Sequence, residues 1–192
     1  MSIQTVSQII RSRRAYFPKT YSSRPIDPSI IEEVIENANW APTHKRTEPW
    51  RYRIFHSLSS RQRLANAIAK AFKEFVPPEA YTEAKAQDHA EKALLSGCVM
   101  AIIMHRDEKA GLPEWEEIAS TAMSVQNMWL TCASYEIGSY WATAGFIFKL
   151  GDILELKESE RCLGLFYMGY VQEGTFAPAL RNPIADKIKW MQ

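Results

Sequence analysis

The sequence predicts an α+β domain: about four strands in a largely apolar sheet, helices on both faces and one long central helix. Three observations predict it. Cys98 to Met104 is a continuous apolar run without alternation, as a central strand covered on both faces requires. Glu114 to Ile137 carries Ile118, Ala122, Val125, Met128, Trp129, Cys132 and Ala133 around most of a helical circumference, the pattern of a buried helix ended by Gly138. Shorter helical and alternating segments surround these two, with no repeat and no low-complexity tract.

In chain order, Ile3, Val6, Ile9 and Ile10 give residues 3–13 the spacing of a helix with one buried face. Pro18, Pro25 and Pro28 then block regular structure. Asp27-Pro28 supplies an N-cap and a first-turn proline for a helix to about Asn39, burying Ile30, Ile31, Val34, Ile35 and Ala38. Arg51 to His56 alternates and is rich in Tyr, Ile and Phe, which predicts a half-buried strand. Ser59 or Ser60 caps a helix to about Phe75, Pro77-Pro78 breaks it, and a second helix over about Glu79–Leu95 is mostly Ala, Glu and Lys. Residues 59–95 therefore read as a helical excursion, the second helix facing solvent. Ser139–Gly145 is a short aromatic strand or extended loop, Ile153–Lys157 a short helix and Leu163–Val171 an apolar strand. An arm covers about 172–192, with a last helical turn at Asp186–Trp190.

At 192 residues the chain suits one domain with a real core. With 23 Lys+Arg against 22 Asp+Glu there is no global basic field, so neither nucleic acid nor a membrane surface is an expected partner. Cys98, Cys132 and Cys162 lie in apolar segments without metal or disulfide spacing and read as buried thiols. No long apolar span and no basic-then-apolar leader is visible, which places the protein in the cytoplasm.

The most informative stretch is Trp40 to Trp50, a polar, Pro-bounded helix-to-strand loop carrying His44, Lys45 and Arg46. A connection that only turned would favour Gly, Asn or Asp. Arg13 and Arg14 have two readings: a bidentate anion clamp, or dipole compensation at a helix end. His44 is a ligand contact or a merely exposed loop histidine, and no second histidine gives it metal-ligand spacing. The small residues in Trp141-Ala142-Thr143-Ala144-Gly145 allow close backbone approach to a flat ligand, while Trp141 alone could simply fill core. The motifs of serine hydrolases, P-loop enzymes, zinc proteases and dinucleotide-fingerprint dehydrogenases are missing.

These segments, in order, resemble the nitroreductase family of FMN-dependent oxidoreductases, in its compact branch with a short His-containing loop. The resemblance rests on Ile10-x-x-Arg13-Arg14, Ala38-x-x-Ala41-Pro42-Thr43-His44 and Glu48-Pro49-Trp50-Arg51. It continues through Gln126-Asn127, Gly138-x-x-Trp141-x-Thr143-x-Gly145, Met168-Gly169-Tyr170 and Arg181-Asn182-Pro183. It implies a mainly antiparallel central sheet and a homodimer with FMN at the subunit interface. Arg13, Arg14 and the position of Ala15 would meet the phosphate with Arg181; Trp40 and His44 would lie along the ribityl chain and ring edge. Trp141, Ala142 and Thr143 would set backbone against the isoalloxazine. The implied reaction is a two-step hydride transfer through flavin N5, from NADH or NADPH to a nitroaromatic, quinone or similar small acceptor. The flavin carries that chemistry, so no catalytic side chain is required. The implied alternatives are a narrower flavin enzyme (oxidase, dehalogenase or ene reductase) or a flavin-free binding protein. Phe72, Phe75 and Tyr81 of the excursion would contact substrate, or else pack between two surface helices. Two departures from the family pattern, Ala15 in place of Ser and Ala179 in place of a cation, imply weaker retention of FMN.

Overall fold

The computed structural model describes residues 6–175 and 180–191; Ile3 and Ala179 lie outside them. Four strands, β1 (Trp50–Phe55), β2 (Cys98–His105), β3 (Ile137–Ala142) and β4 (Glu160–Tyr170), form one sheet in the order β1-β2-β4-β3, every neighbour antiparallel. The helices are α1 (Val6–Ser12), α2 (Pro28–Asn39), α3 (Leu58–Phe75), α4 (Glu83–Leu95), α5 (Glu114–Ser134) and the short α6 (Gly151–Leu154). The α+β class, the antiparallel sheet and the helices on both faces are as the sequence predicts.

The continuous apolar run of β2 is buried from Cys98 to Met104, because both of its faces are covered. Alternate residues point to opposite sides: Cys98, Met100 and Ile102 join a core with α2 and α5, while Val99, Ala101 and Ile103 join a second core with α3 and α4. Asp27 caps α2 as expected, accepting from Ser29 N at 2.9 Å, and Ile31, Val34 and Ala38 are buried. Ser57, two residues before the expected cap, accepts from Ser60 N and begins α3.

Several expectations are corrected. Helix α4 does not simply face solvent: its alanines Ala86, Ala90 and Ala93 are buried against α3, so the excursion is one of the two layers that cover the sheet. Small side chains let two helices approach closely, which a reading of alanine as surface composition misses. Gly138 does not end α5. The chain leaves the helix at Tyr135, Glu136 takes a left-handed φ of 58°, and Gly138 already belongs to β3. Nor is α5 buried all round, since Trp115 is 67% exposed and Met123 40%. Among its described residues α1 buries none; Val6 and Ile10 are exposed. Strand β4 starts three residues earlier than expected, the short helix after β3 falls at Gly151–Leu154, and the last turn is Ile184–Lys187.

The three free cysteines are buried, and burial pushes the Cys98 thiol up to about 12 and Cys162 up to about 11. Among the described residues no group of His, Cys, Asp and Glu could hold a metal ion, and no helix is long and apolar enough to cross a membrane.

Gly164 sits in β4 at φ +146°, beside the register shift between Ile102 and Ile103, and a Cβ there would collide with Trp141 Nε1 and Ala142 O. Overpacking at such a point destabilises. Gly164→Ala is expected to reduce unfolding stability by about 1–3 kcal/mol in a urea titration, through displacement of the Trp141 indole and the end of β3.

Candidate functional site

The segment that follows α1 lies along the free edge of β3. Ala15 bridges Ser139 in parallel, Tyr16 N donates to Ser139 O at 3.1 Å, and Trp129 Nε1 of α5 donates to Arg14 O at 3.2 Å. Tyr21 secures the same segment from behind: its buried hydroxyl donates to Tyr16 O at 2.7 Å. These bonds place Arg13 and Arg14 in the wall of a cavity of about 330 Å³, together with Trp129, Gly138, Ser139 and the Gln172–Thr175 turn.

The Arg13 guanidinium lies 4.5 Å from the centre of the Trp129 ring. Burial, and then the charges of Arg181 and Arg14, hold its pKa below the ordinary arginine value. Arg13 and Arg14 line the cavity together with the carboxylates of Glu136 and Glu173, and Arg181 lies near enough for its charge to act on Arg13. Arg14 Nη1 also donates to Arg11 O and Arg13 O, which ties it to the end of α1, while Arg13 stacks on Trp129 in the cavity wall. The Ser139 side chain is buried beside the Cys132 thiol of α5.

A second cavity, about 250 Å³, opens at the other end of β3. Tyr140, Ala142, Thr143, Ala144, Phe146 and Ile147 form part of its wall. The Trp141 side chain packs on the α5 side of the sheet instead, its indole N–H buried without a partner. Opposite Thr143 stand His89 and Lys92, which sequence reasoning missed. They are three apart on α4 and so share a face. That spacing was present in the sequence, within a helix read as solvent-facing. His89 is enclosed by Phe72 at 4.8 Å and Phe146 at 5.1 Å between ring centres. Burial, with the Lys92 charge adding to it and Asp88 opposing, lowers its pKa below the ordinary histidine value.

Of the three expected substrate contacts, none is among the residues lining this cavity. Phe72 is buried behind it, Tyr81 is half-buried and donates its hydroxyl to Glu83 at 2.7 Å, and Phe75 is exposed against Phe148 at 5.8 Å.

The Trp40–Trp50 loop lies elsewhere. Lys45, Arg46 and Glu48 all take φ between 42° and 55°, a left-handed conformation that strains residues other than glycine. Bonds to the segment before α5 and to its first turn, and one within the loop, maintain it: His44 Nδ1 meets Glu116 Oε2 at 2.6 Å, Lys45 Nζ donates to Ala110 O at 2.7 Å, and Thr43 Oγ1 accepts from Glu48 N at 3.1 Å. His44 shares a shallow pocket with the exposed Trp115 and Met123 of α5. Trp40 is 77% exposed and donates to Glu36 at 2.9 Å. His44 touches α5 at Glu116 and Arg13 touches it at Trp129, about 20 Å along the helix axis. Within one chain, therefore, the loop does not join the arginines in a single cavity.

Fold and site together define a class: an α+β protein with a cationic cavity and a small aromatic-walled cavity at opposite ends of one edge strand. The chain belongs to the nitroreductase family, whose model matches residues 10–170. A Bacillus subtilis protein named as an NAD(P)H nitroreductase is 28% identical over 187 residues, 95% of this chain and 92% of that one. The fold is shared with a nitroreductase-like protein from Bacillus cereus, at a TM-score of 0.82, 21% identity and coverage of 100% and 98% of the two chains. It is shared also with a nitroreductase solved in complex with FMN from Desulfovibrio desulfuricans, at a TM-score of 0.72, 17% identity and coverage of 100% and 99%. Membership places this chain among the nitroreductase-type oxidoreductases.

Because Glu116 and Ala110 are the outside supports of the strained loop, Glu116→Ala is expected to loosen it. Hydrogen exchange of the amides at 44–48 should accelerate by about tenfold or more, with β2 and β4 unchanged; equal protection in variant and wild type would mean that the loop maintains itself.

Proposed function

We propose that this chain is a cytoplasmic, homodimeric FMN enzyme that takes electrons from NADH or NADPH and delivers them to nitroaromatic, quinone or similar small acceptors. The observation that carries the reading is the run of β3 from the arginine cluster to the cavity walled by His89 and Lys92. From Gly138 to Thr143 the strand covers about 16 Å, a span suited to a ligand with a phosphate at one end and a flat ring at the other. The donor sets fit such a ligand. Guanidinium groups grip phosphate by charge-assisted hydrogen bonds, and the second cavity offers aromatic and small apolar walls with one cation.

Bound FMN would supply the two-electron chemistry that links NAD(P)H to a small acceptor. The protein's residues bind, orient and tune. Arg13, Arg14 and Arg181 hold the phosphate end. Ala142 and Thr143 present small side chains and backbone to the ring. Lys92 sets a positive charge at the cavity wall, where it stabilises the negative charge that reduction brings. His89, with its pKa lowered, stays neutral near pH 7 and gives that wall a hydrogen-bonding group without a second positive charge.

The dimer reading is supported by what the single chain leaves uncovered. Trp115 and Met123 expose one side of α5 beside His44, and Leu180, Ile184, Ile188 and Trp190 of the C-terminal arm are exposed as well. Burying that apolar surface against a second copy would be favourable.

Purified protein supplied with FMN is expected to show bound-flavin absorption bands that bleach anaerobically on addition of NADH or NADPH, and to sediment at twice the chain mass. No flavin bands after FMN is supplied would refute the reading. Lys92→Gln is expected to slow the bleaching step about tenfold or more in stopped flow while the protein still binds flavin.

A further inference from the structure

The cavity between β3 and α4 is lined by a phenol that the chain itself does not satisfy. Tyr167 of β4 is 3% exposed and lies in that wall, yet among the described residues its hydroxyl makes no hydrogen bond. Nor is the oxygen sealed in the core, as the unpaired Trp141 Nε1 is, so the little surface it keeps opens on the cavity. The groups around it are engaged elsewhere. The Cys162 thiol donates to Gly164 O at 3.6 Å, and the Tyr21 hydroxyl meets the Tyr167 carbonyl at 3.2 Å, not its phenol. Tyr140, its register partner on β3, stacks on it with ring centres 6.2 Å apart. Tyr140 is half-buried, and water can serve its hydroxyl; Tyr167 has only what the cavity holds. Burial pushes the Tyr167 hydroxyl above the ordinary tyrosine pKa, so it stays protonated and acts as a donor. A buried donor without an acceptor weighs against the folded state.

We infer that the Tyr167 hydroxyl donates a hydrogen bond to a carbonyl oxygen of the flavin ring. The inference rests on the flavin reading above and specifies which end of the ring enters the cavity. One end of that ring carries two methyl groups, the other two carbonyls and an N–H. The methyl end would leave the phenol without an acceptor and set apolar groups beside the Lys92 ammonium. The carbonyl end gives an acceptor to both. Reduction adds negative charge at this end, and a hydrogen bond to a charged oxygen is stronger than one to a neutral oxygen. Tyr167 therefore binds the reduced ring more tightly than the oxidised one.

Tyr167→Phe removes the hydroxyl and keeps the ring. The test compares it with wild type in binding FMN and riboflavin, which lacks the phosphate, by quenching of flavin fluorescence. Both affinities are expected to fall about tenfold, and by the same factor, because the lost contact is with the ring and not with the phosphate. The midpoint potential of bound FMN should become more negative in the variant, since the reduced form loses more than the oxidised form. The flavin-free variant should melt at the same or a higher temperature, having lost an unpaired hydroxyl. Unchanged flavin binding, a loss for FMN alone or an unaltered potential overturns the inference. So does a lower melting temperature of the flavin-free variant, which would mean that the chain already satisfies the hydroxyl. Wild-type protein that binds neither flavin overturns the underlying reading, and the inference with it.

Discussion

Strand β3 is held between β4 on its inner side and the Arg14–Tyr16 segment on its outer side, and the candidate site depends on that second contact. An uncovered edge strand presents unpaired N–H and C=O groups to any passing chain. Here Tyr16 N takes the Ser139 carbonyl, and Trp129 takes the Arg14 carbonyl from below. One small set of hydrogen bonds therefore does two things: it closes part of the edge and fixes the backbone that carries the arginines. Tyr21 extends the clamp to the sheet interior, its hydroxyl bonded to Tyr16 O and its ring over Gly169, where a Cβ would come within 2.5 Å.

The sheet behind the clamp is apolar on both faces, and the two cores it separates have different tasks. The core with α2 and α5 is filled by branched and sulfur-containing side chains and supports the arginine cavity through Trp129. The core with α3 and α4 contains more alanine and aromatic residues, and its outer margin becomes the cavity of His89 and Lys92. Glu117, 1% exposed, meets Arg106 and accepts from Asp107 N, which orders the turn that in turn receives Lys45. The left-handed residues of the His44 loop are thus sustained by a buried ion pair on a different element.

Much of this was legible in the sequence because it is local. The unbroken apolar run of β2, the Asp27-Pro28 start of α2 and the Arg13-Arg14 pair each carry their meaning within a few residues. The rest depends on what meets what. The end of α5 was misplaced because Ala133 to Glu136 continue a helical pattern; only the left-handed turn at Glu136 stops it, and nothing in glutamate demands that turn. His89 and Lys92 were overlooked because an alanine-rich helix looks the same whether its alanines face water or a neighbouring helix. The His44 loop and the arginines, read as adjacent, are separated by most of the length of α5, a distance that sequence order does not encode.

The sheet order has a consequence for how the chain reaches this state. Strand β4 follows all the others in the sequence but lies between β2 and β3, so until about residue 170 has been made β2 has only β1 beside it and β3 has no neighbouring strand. During synthesis β2, the most apolar segment, would wait with one edge bare while some sixty residues are still to come, the condition under which strand edges find wrong partners. The neighbouring helices α3 and α4 pack through local contacts and can form first, and they cover one face of that strand. On this view the helical excursion shields the nascent sheet before it borders a cavity in the finished one.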